Sequence, residues 1–185
     1  MAAAQQPDLI VVGERVALGP LRRDLAATYA RWVNRRDVRE GLLNLSIDTP
    51  ETLEAWVDEQ VRKGVERPPA AVNFTIYDRS DDEPVGTAGL FDISWVHSTA
   101  EFGIAVGERR GRGLGTEATR LVLEWAFRTL GLRSVILGTL AWNEGALRAY
   151  ERAGFRRIGV RRGGALSRGE RADVVLMDAT PVDLA

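Results

Sequence analysis

Hydrophobic positions along the chain change period several times, and each change marks an element. Arg15 to Leu21 is a short apolar run of strand length. Behind it Leu25, Tyr29, Trp32 and Val33 recur at helical spacing after Asp24, a residue suited to a helix N-cap. Thr49 caps a second predicted helix, with Pro50 in its first turn, Glu51 and Glu54 near its N-terminus, and Leu53, Trp56, Val57 and Val61 as its buried stripe. Gly64 and the Pro68-Pro69 pair end it. From Val72 the period drops to two. Val72, Phe74 and Ile76 alternate, a polar turn at Asp78 to Glu83 leads into Val85 to Trp95, and a turn at His97 and Ser98 leads into Phe102, Ile104 and Val106. This predicts three antiparallel strands ending at Gly107. Helical period returns from Gly115 to Leu130, with Gly131 placed as a C-cap glycine. The nearly unbroken apolar run Val135 to Leu140 suits a central strand, and Asn143 opens a helix through Ala146, Leu147 and Tyr150 that stops at Gly154. Phe155 to Val160 and Ala172 to Met177 close the chain as a hairpin around a loop at Gly163 to Gly169.

No repeat, low-complexity stretch or linker interrupts this order, so the 185 residues read as one domain spanning 1–185. The chain has no cysteine, which excludes disulfides, thiolate metal sites and a cysteine acyl-enzyme. Its single histidine, His97, lies in a turn away from the other candidate chemistry, and no ligand spacing suggests a metal. Met1 to Gln6 lacks the basic flank and apolar run of a signal peptide, and no segment approaches the ~20 apolar residues of a membrane span. A cytoplasmic protein without membrane contact is expected. The net charge of -1 gives no overall attraction to nucleic acid. Arg156, Arg157, Arg161, Arg162, Arg168 and Arg171 crowd the final hairpin, but without interleaved aromatic residues they read as a solvated surface.

The segment Arg110, Gly111, Arg112, Gly113, Leu114, Gly115 and Thr116 places three glycines at alternate positions directly before the longest predicted helix. Loop N–H groups free of side chains can converge on an anion there, beside the unsatisfied donors and positive dipole end of the helix. A pyrophosphate fits that description; a plain glycine-rich turn, or an Arg-Gly segment that contacts RNA, fits it as well. The segment is no P-loop, because no Gly-Lys-Ser/Thr follows, and it lacks the glycine spacing of the dinucleotide fingerprint.

At this point the chain resembles the GNAT superfamily of N-acetyltransferases, whose Gln/Arg-x-x-Gly-x-Gly/Ala signature at a helix start is matched by Arg110, Gly113 and Gly115. A second match, Asn143-x-x-Ala146-x-x-x-Tyr150-x-x-x-Gly154-Phe155, is similar to the later segment of the subgroup that includes the Rim-type ribosomal-protein acetyltransferases. The resemblance implies an α/β (α+β mixed) fold: a mixed, mostly antiparallel sheet of about seven strands with splayed central strands, flanked by about four helices. It implies acetyl-CoA as cofactor, its pyrophosphate on Arg110 to Thr116 and its pantetheine arm along Ile104, Ala105 and Val106, completing an exposed strand edge. Asn143 and Ala146 would also face the cofactor, Asn143 capping its helix in any case.

Tyr150 lies two helical turns after Asn143 and is implied as the general acid that protonates the departing sulfur; its alternative is a buried tyrosine serving only the core. An amine arrives as an ammonium and must lose a proton, so a carboxylate near the cofactor strand is useful. Glu101 is the candidate for base and substrate contact, its alternative a merely solvated strand-end glutamate, and Asp92 on the neighbouring strand is the runner-up and could equally hold a cationic substrate. The expected reaction is direct acetyl transfer, without an enzyme nucleophile, to a primary amine, with a peptide N-terminus, a polyamine, an aminoglycoside or another small amine all open as acceptor. A non-catalytic acyl-CoA-binding regulatory module is the alternative, against which Tyr150 argues. Gly41 to Asp48 and the final hairpin loop are expected to border the acceptor site, and a homodimer is compatible with the family.

Overall fold

The computed structural model describes residues 7–42 and 46–184. Among these, one sheet carries helices on both faces. In chain order its strands are β1 (Val11–Val12), β2 (Val16–Pro20), β3 (Val72–Asp78), β4 (Glu83–Ser94), β5 (Thr99–Val106), β6 (Ser134–Leu140), β7 (Arg156–Ser167) and β8 (Glu170–Ala179). The α-helices are α1 (Ala26–Val33), α2 (Arg36–Gly41), α3 (Pro50–Val65), α4 (Leu114–Glu124), which continues as a π-helical turn over Trp125–Thr129, and α5 (Glu144–Ala153). The spatial order is β1-β2-β3-β4-β5-β6-β8-β7, antiparallel throughout except for the parallel pair β5 and β6.

The mixed, mostly antiparallel sheet agrees with expectation, with one more strand and one more helix than the sequence suggests. β1 and α2 are the additions. Two residues of β1 paired to Ala17 and Leu18, and a six-residue helix that buries only Val38, are too short to leave a period in the sequence.

Three local expectations are corrected. Asp24 does not cap α1; it sits in a 3₁₀ turn, where its carboxylate accepts from Arg22 Nε at 2.9 Å. Val61 is 48% exposed, and the position that completes the buried stripe of α3 is Gln60, whose Oε1 accepts from Asn73 Nδ2 at 3.0 Å. The final hairpin is longer than the apolar runs: strand pairing continues to Ser167 and Glu170, and a two-residue turn at Arg168 and Gly169, both at positive φ, replaces the expected seven-residue loop. Thr49 does cap α3, in a reciprocal box with Thr52.

α4 and α5 cover one face of the sheet, where Phe74, Ile76, Leu90, Phe102, Val122 and Leu147 form part of the main core. α1 and α3 cover the other face over the β2–β5 half, through Tyr29, Ala30, Trp32, Leu53 and Val57. Both faces of β3 are therefore buried: Thr75 and Tyr77 are as inaccessible as Phe74 and Ile76, and the Tyr29 hydroxyl meets Thr75 Oγ1 at 2.6 Å. No helix among the described residues is long and apolar enough to cross a membrane.

Candidate active site

The two parallel strands separate almost as soon as they pair. β5 and β6 are in register only at Thr99 to Glu101 against Ser134 to Ile136, so from Phe102 to Val106 the β6-facing edge of β5 is open. Which backbone groups face that opening follows from the ladder on the other side. Gly107 N donates to Val85 O at 2.8 Å, and Val106 is the direct partner of Gly86. Alternation in an antiparallel ladder then turns Ala105 and Gly103 toward β4, and Val106, Ile104 and Phe102 toward the gap. Of the three residues expected to meet a pantetheine arm, Ile104 and Val106 thus offer backbone groups, and Ala105 offers its side chain to the α1/α3 face.

The glycine loop follows directly. Gly111 and Gly113 have φ values of 77° and 80°, a region that side chains disfavour, and a Cβ on Gly111 would meet nothing within 4 Å. Gly113 is the N-cap of α4, and the first backbone bond of that helix runs from Glu117 N to Gly113 O. The N–H groups of Leu114, Gly115 and Thr116 are left without intrahelical partners at the positive end of the helix. A Cβ on Gly115 would lie 3.1 Å from Val106 Cγ2, so this glycine lets the helix start close beside the open strand edge. The Leu114 side chain is core. These free donors lie at the helix start beside an unpaired strand edge, an arrangement that fits a pyrophosphate followed by an amide-bearing arm.

Contacts invisible in the local sequence hold the loop. Arg109 donates to the buried Asp78 carboxylate at 2.7 Å and pairs with Asp81, and this guanidinium, with the Ser80 N–H and hydroxyl, holds Asp78 well below the usual carboxylate range. Trp32 Nε1 donates to Glu108 at 3.0 Å, Arg35 donates to Gly107 O at 2.7 Å, and Arg15 donates to Arg112 O at 3.0 Å. The Arg110 guanidinium folds back instead of reaching over the loop: Nε donates to Val106 O at 2.8 Å and Nη1 meets Asp37 at 2.6 Å. It thus occupies one acceptor of the open edge.

Tyr150 stands on the α4/α5 face of the gap, edge-on to Phe102 of β5 and to Phe155. Its hydroxyl bonds to no described residue, and desolvation pushes its pKa up to about 12. Asn143 caps α5, its Oδ1 accepting from Ala146 N at 3.3 Å, so the Ala146 N–H is taken up by the cap.

Because Phe102 points to the Tyr150 face, Glu101, Gly103 and Ala105 point to the opposite one. There Phe91, the cross-strand partner of Glu101, lays its ring over Gly103, where a Cβ would come within 2.8 Å. This face carries a cavity of about 290 Å³. Asn73, Thr87, Phe91 and Ala105 form its floor, Tyr29, Val33, Leu53 and Trp56 its helical walls, and Leu42 and Asp48 its rim. Asn34 at the end of α1 holds Asp48 in place, its Oδ1 accepting from Asp48 N at 3.0 Å. Of the segment 41–48 expected to border an acceptor, Leu42 and Asp48 do line the cavity, and residues 43–45 lie outside the described residues. Asp92 is an exposed residue of the β4 bulge, at φ 47°, and does not line the cavity. The cavity residues are not evident in the sequence because Asn73 and Thr87, polar residues on strands, look solvent-facing until a second helical layer covers them. Gly89 and Gly103, within strands, were the available signal.

Comparisons with known proteins identify the family. Residues 15–156 match the family model described as an acetyltransferase (GNAT) domain. The chain is 30% identical over 147 residues to the spermidine N(1)-acetyltransferase of Escherichia coli (strain K12), covering 76% of this chain and 72% of that protein. It is 38% identical over 92 residues to the probable N-acetyltransferase YjcK of Bacillus subtilis, 49% of this chain and 51% of that protein. Among solved structures, the spermidine N-acetyltransferase of Vibrio cholerae in complex with CoA and spermine superposes with a TM-score of 0.83 at 21% identity, covering 93% of this chain and 99% of that one. The ribosomal-protein-S5-alanine acetyltransferase of Vibrio fischeri gives 0.82 at 19% identity, covering 96% and 100%. These relatives favour an enzyme over a non-catalytic binding module, and the chain belongs to the GNAT family of N-acetyltransferases, which transfer an acetyl group from acetyl-CoA to an amine.

Proposed function

We propose that residues 1–185 form a single catalytic domain in which the gap between β5 and β6 is the reaction centre, served from both faces of the sheet. The observation that carries this reading is the short pairing of β5 with β6, which leaves an open strand edge beside the α4 N-terminus. Acetyl-CoA supplies an acetyl group activated as a thioester. The N–H groups of Leu114, Gly115 and Thr116, with the backbone of Gly111 to Gly113, hold its pyrophosphate, and the gap-facing backbone of Ile104 and Val106 holds the pantetheine amides. Arg110 exchanges its bond to Val106 O for the phosphates, freeing that carbonyl.

The acceptor is a primary amine that enters from the α1/α3 face, as a small molecule or a peptide N-terminus. Glu101, at the head of the open edge on that face, takes the proton that the ammonium must lose, directly or through water. Tyr150, on the opposite face, keeps its phenolic proton at neutral pH and delivers it to the departing sulfur. Placing base and acid on opposite faces keeps them from exchanging the proton directly.

The test is acetyl-CoA binding by calorimetry, followed by free-thiol release against a panel of amines and N-terminal peptides. Binding with thiol release is the expected result. Binding without release across the panel would remove the catalytic assignment, and no binding would remove the site.

A further inference from the structure

The cavity on the α1/α3 face is set apart by what it lacks. Of the named residues that line it, Asp48 carries the one charged side chain, at the rim, and the apolar side chains include Val33, Leu42, Leu53, Trp56 and Phe91. Two of its polar side chains are already engaged, the Tyr29 hydroxyl with Thr75 Oγ1 and Asn73 Nδ2 with Gln60 Oε1, and Thr87 adds a hydroxyl to the floor. The shape follows from the floor. A Cβ on Gly89 would meet Asn73 Oδ1 at 2.1 Å, and one on Gly103 would meet the Phe91 ring, so both glycines let larger side chains lie flat on the sheet and keep space above it. At about 290 Å³ the cavity is at the small end of ligand sites, the size and lining of a pocket for a compact apolar body.

Resting on the reaction centre proposed above, we propose that the acceptor is a primary monoamine carried on an apolar or aromatic body, with the body in this cavity and the amino group turned toward β5. A polyamine is disfavoured, because further ammonium groups seated in the cavity would lie against Trp56, Leu53 and Phe91, with Asp48 the one carboxylate among the named lining residues and only at the rim. The same apolar walls favour the neutral form of a bound amine, and that form is the nucleophile.

The experiment measures kcat/KM by thiol release for the straight-chain series propylamine to heptylamine, for phenethylamine and for spermidine. The expected result is a rise of about fourfold per methylene until the cavity is filled, equivalent to ~0.8 kcal/mol each. Phenethylamine should exceed spermidine by ~10-fold or more. Leu42→Glu, a change at a rim position that is 39% exposed, should lower the values for the apolar amines and raise that for spermidine. A flat alkylamine series, or a preference for spermidine with thiol release intact, overturns the apolar acceptor and leaves the reaction centre standing. Failure of every amine to release thiol from bound acetyl-CoA takes down the reaction centre itself.

Discussion

The phenol ring of Tyr150 stands edge-on to the ring of Phe102, with centroids 6.2 Å apart and planes at 87°. This contact joins the helix that carries the candidate acid to the strand that carries the open edge, and it needs the ring but not the hydroxyl. Tyr150→Phe should therefore fold normally and bind acetyl-CoA with little change, while turnover falls about 10²-fold or more. The pH profile tests the same assignment. With the phenol pKa at about 12, the value of kcat/KM should rise as the acceptor amine loses its proton, with no tyrosine-dependent decline below about pH 11. Steady-state kinetics and calorimetry check both; unchanged turnover in the phenylalanine variant removes Tyr150 from the chemistry.

Thr116 stands in the first turn of α4, where its N–H faces the proposed phosphate position. A glutamate there suits the helix dipole and should leave the melting temperature unchanged or slightly raised. Its carboxylate competes for the donors that would hold the pyrophosphate. Thr116→Glu is expected to weaken acetyl-CoA at least ~10-fold, the consequence of like charge at one anion site. Normal affinity in a stable variant would move the phosphate elsewhere.

Asp78 anchors the loop through Arg109, and its pKa is lowered first by that guanidinium. Losing the pair in Asp78→Asn should cost about 1–3 kcal/mol and several degrees of melting temperature. A depressed carboxylate pKa gives stability that is complete above the unfolded value near ~4 and is lost as pH falls toward the folded one. The difference between native and variant proteins should therefore hold constant from about pH 8 to 5 and shrink below about pH 4, as read by thermal melts. A difference independent of pH down to about 2 would contradict the ion pair.

Arg168, at the tip of the final hairpin, reaches two distant elements: its guanidinium lies 4.3 Å from the Trp142 ring centroid and 2.8 Å from Glu40 Oε2 on α2. Exposed contacts of this kind contribute little to stability, so Arg168→Ala should cost less than about 1 kcal/mol. Since α2 leads directly into Leu42 at the cavity rim, the acceptor KM should rise about 3- to 10-fold with acetyl-CoA affinity unchanged. An unaltered acceptor KM would confine this bridge to the surface.

Much of this protein was legible in its residues. Thr49, Asn143, Gly131 and Gly154 marked helix ends by local backbone chemistry, and the alternation at Phe102, Ile104 and Val106 marked β5. The glycine loop stood out because three glycines before a helix are a local pattern with a local reason. Such features depend on neighbours within a turn or two, and sequence order carries that information. What it could not carry was anything decided by elements that meet only in space. Asp24 turned to Arg22 and not to the helix, Arg110 turned to Val106 and Asp37, and Asp92 stayed in an exposed bulge away from the cavity. The cavity itself arises where α1 and α3 cover Asn73, Thr87 and Phe91 of the β3–β4 hairpin. Local sequence determined which segments would be helix, strand and anion-binding turn; only the packing of two helical layers on one splayed sheet decided which side chains face the reaction and which are taken up in holding it together.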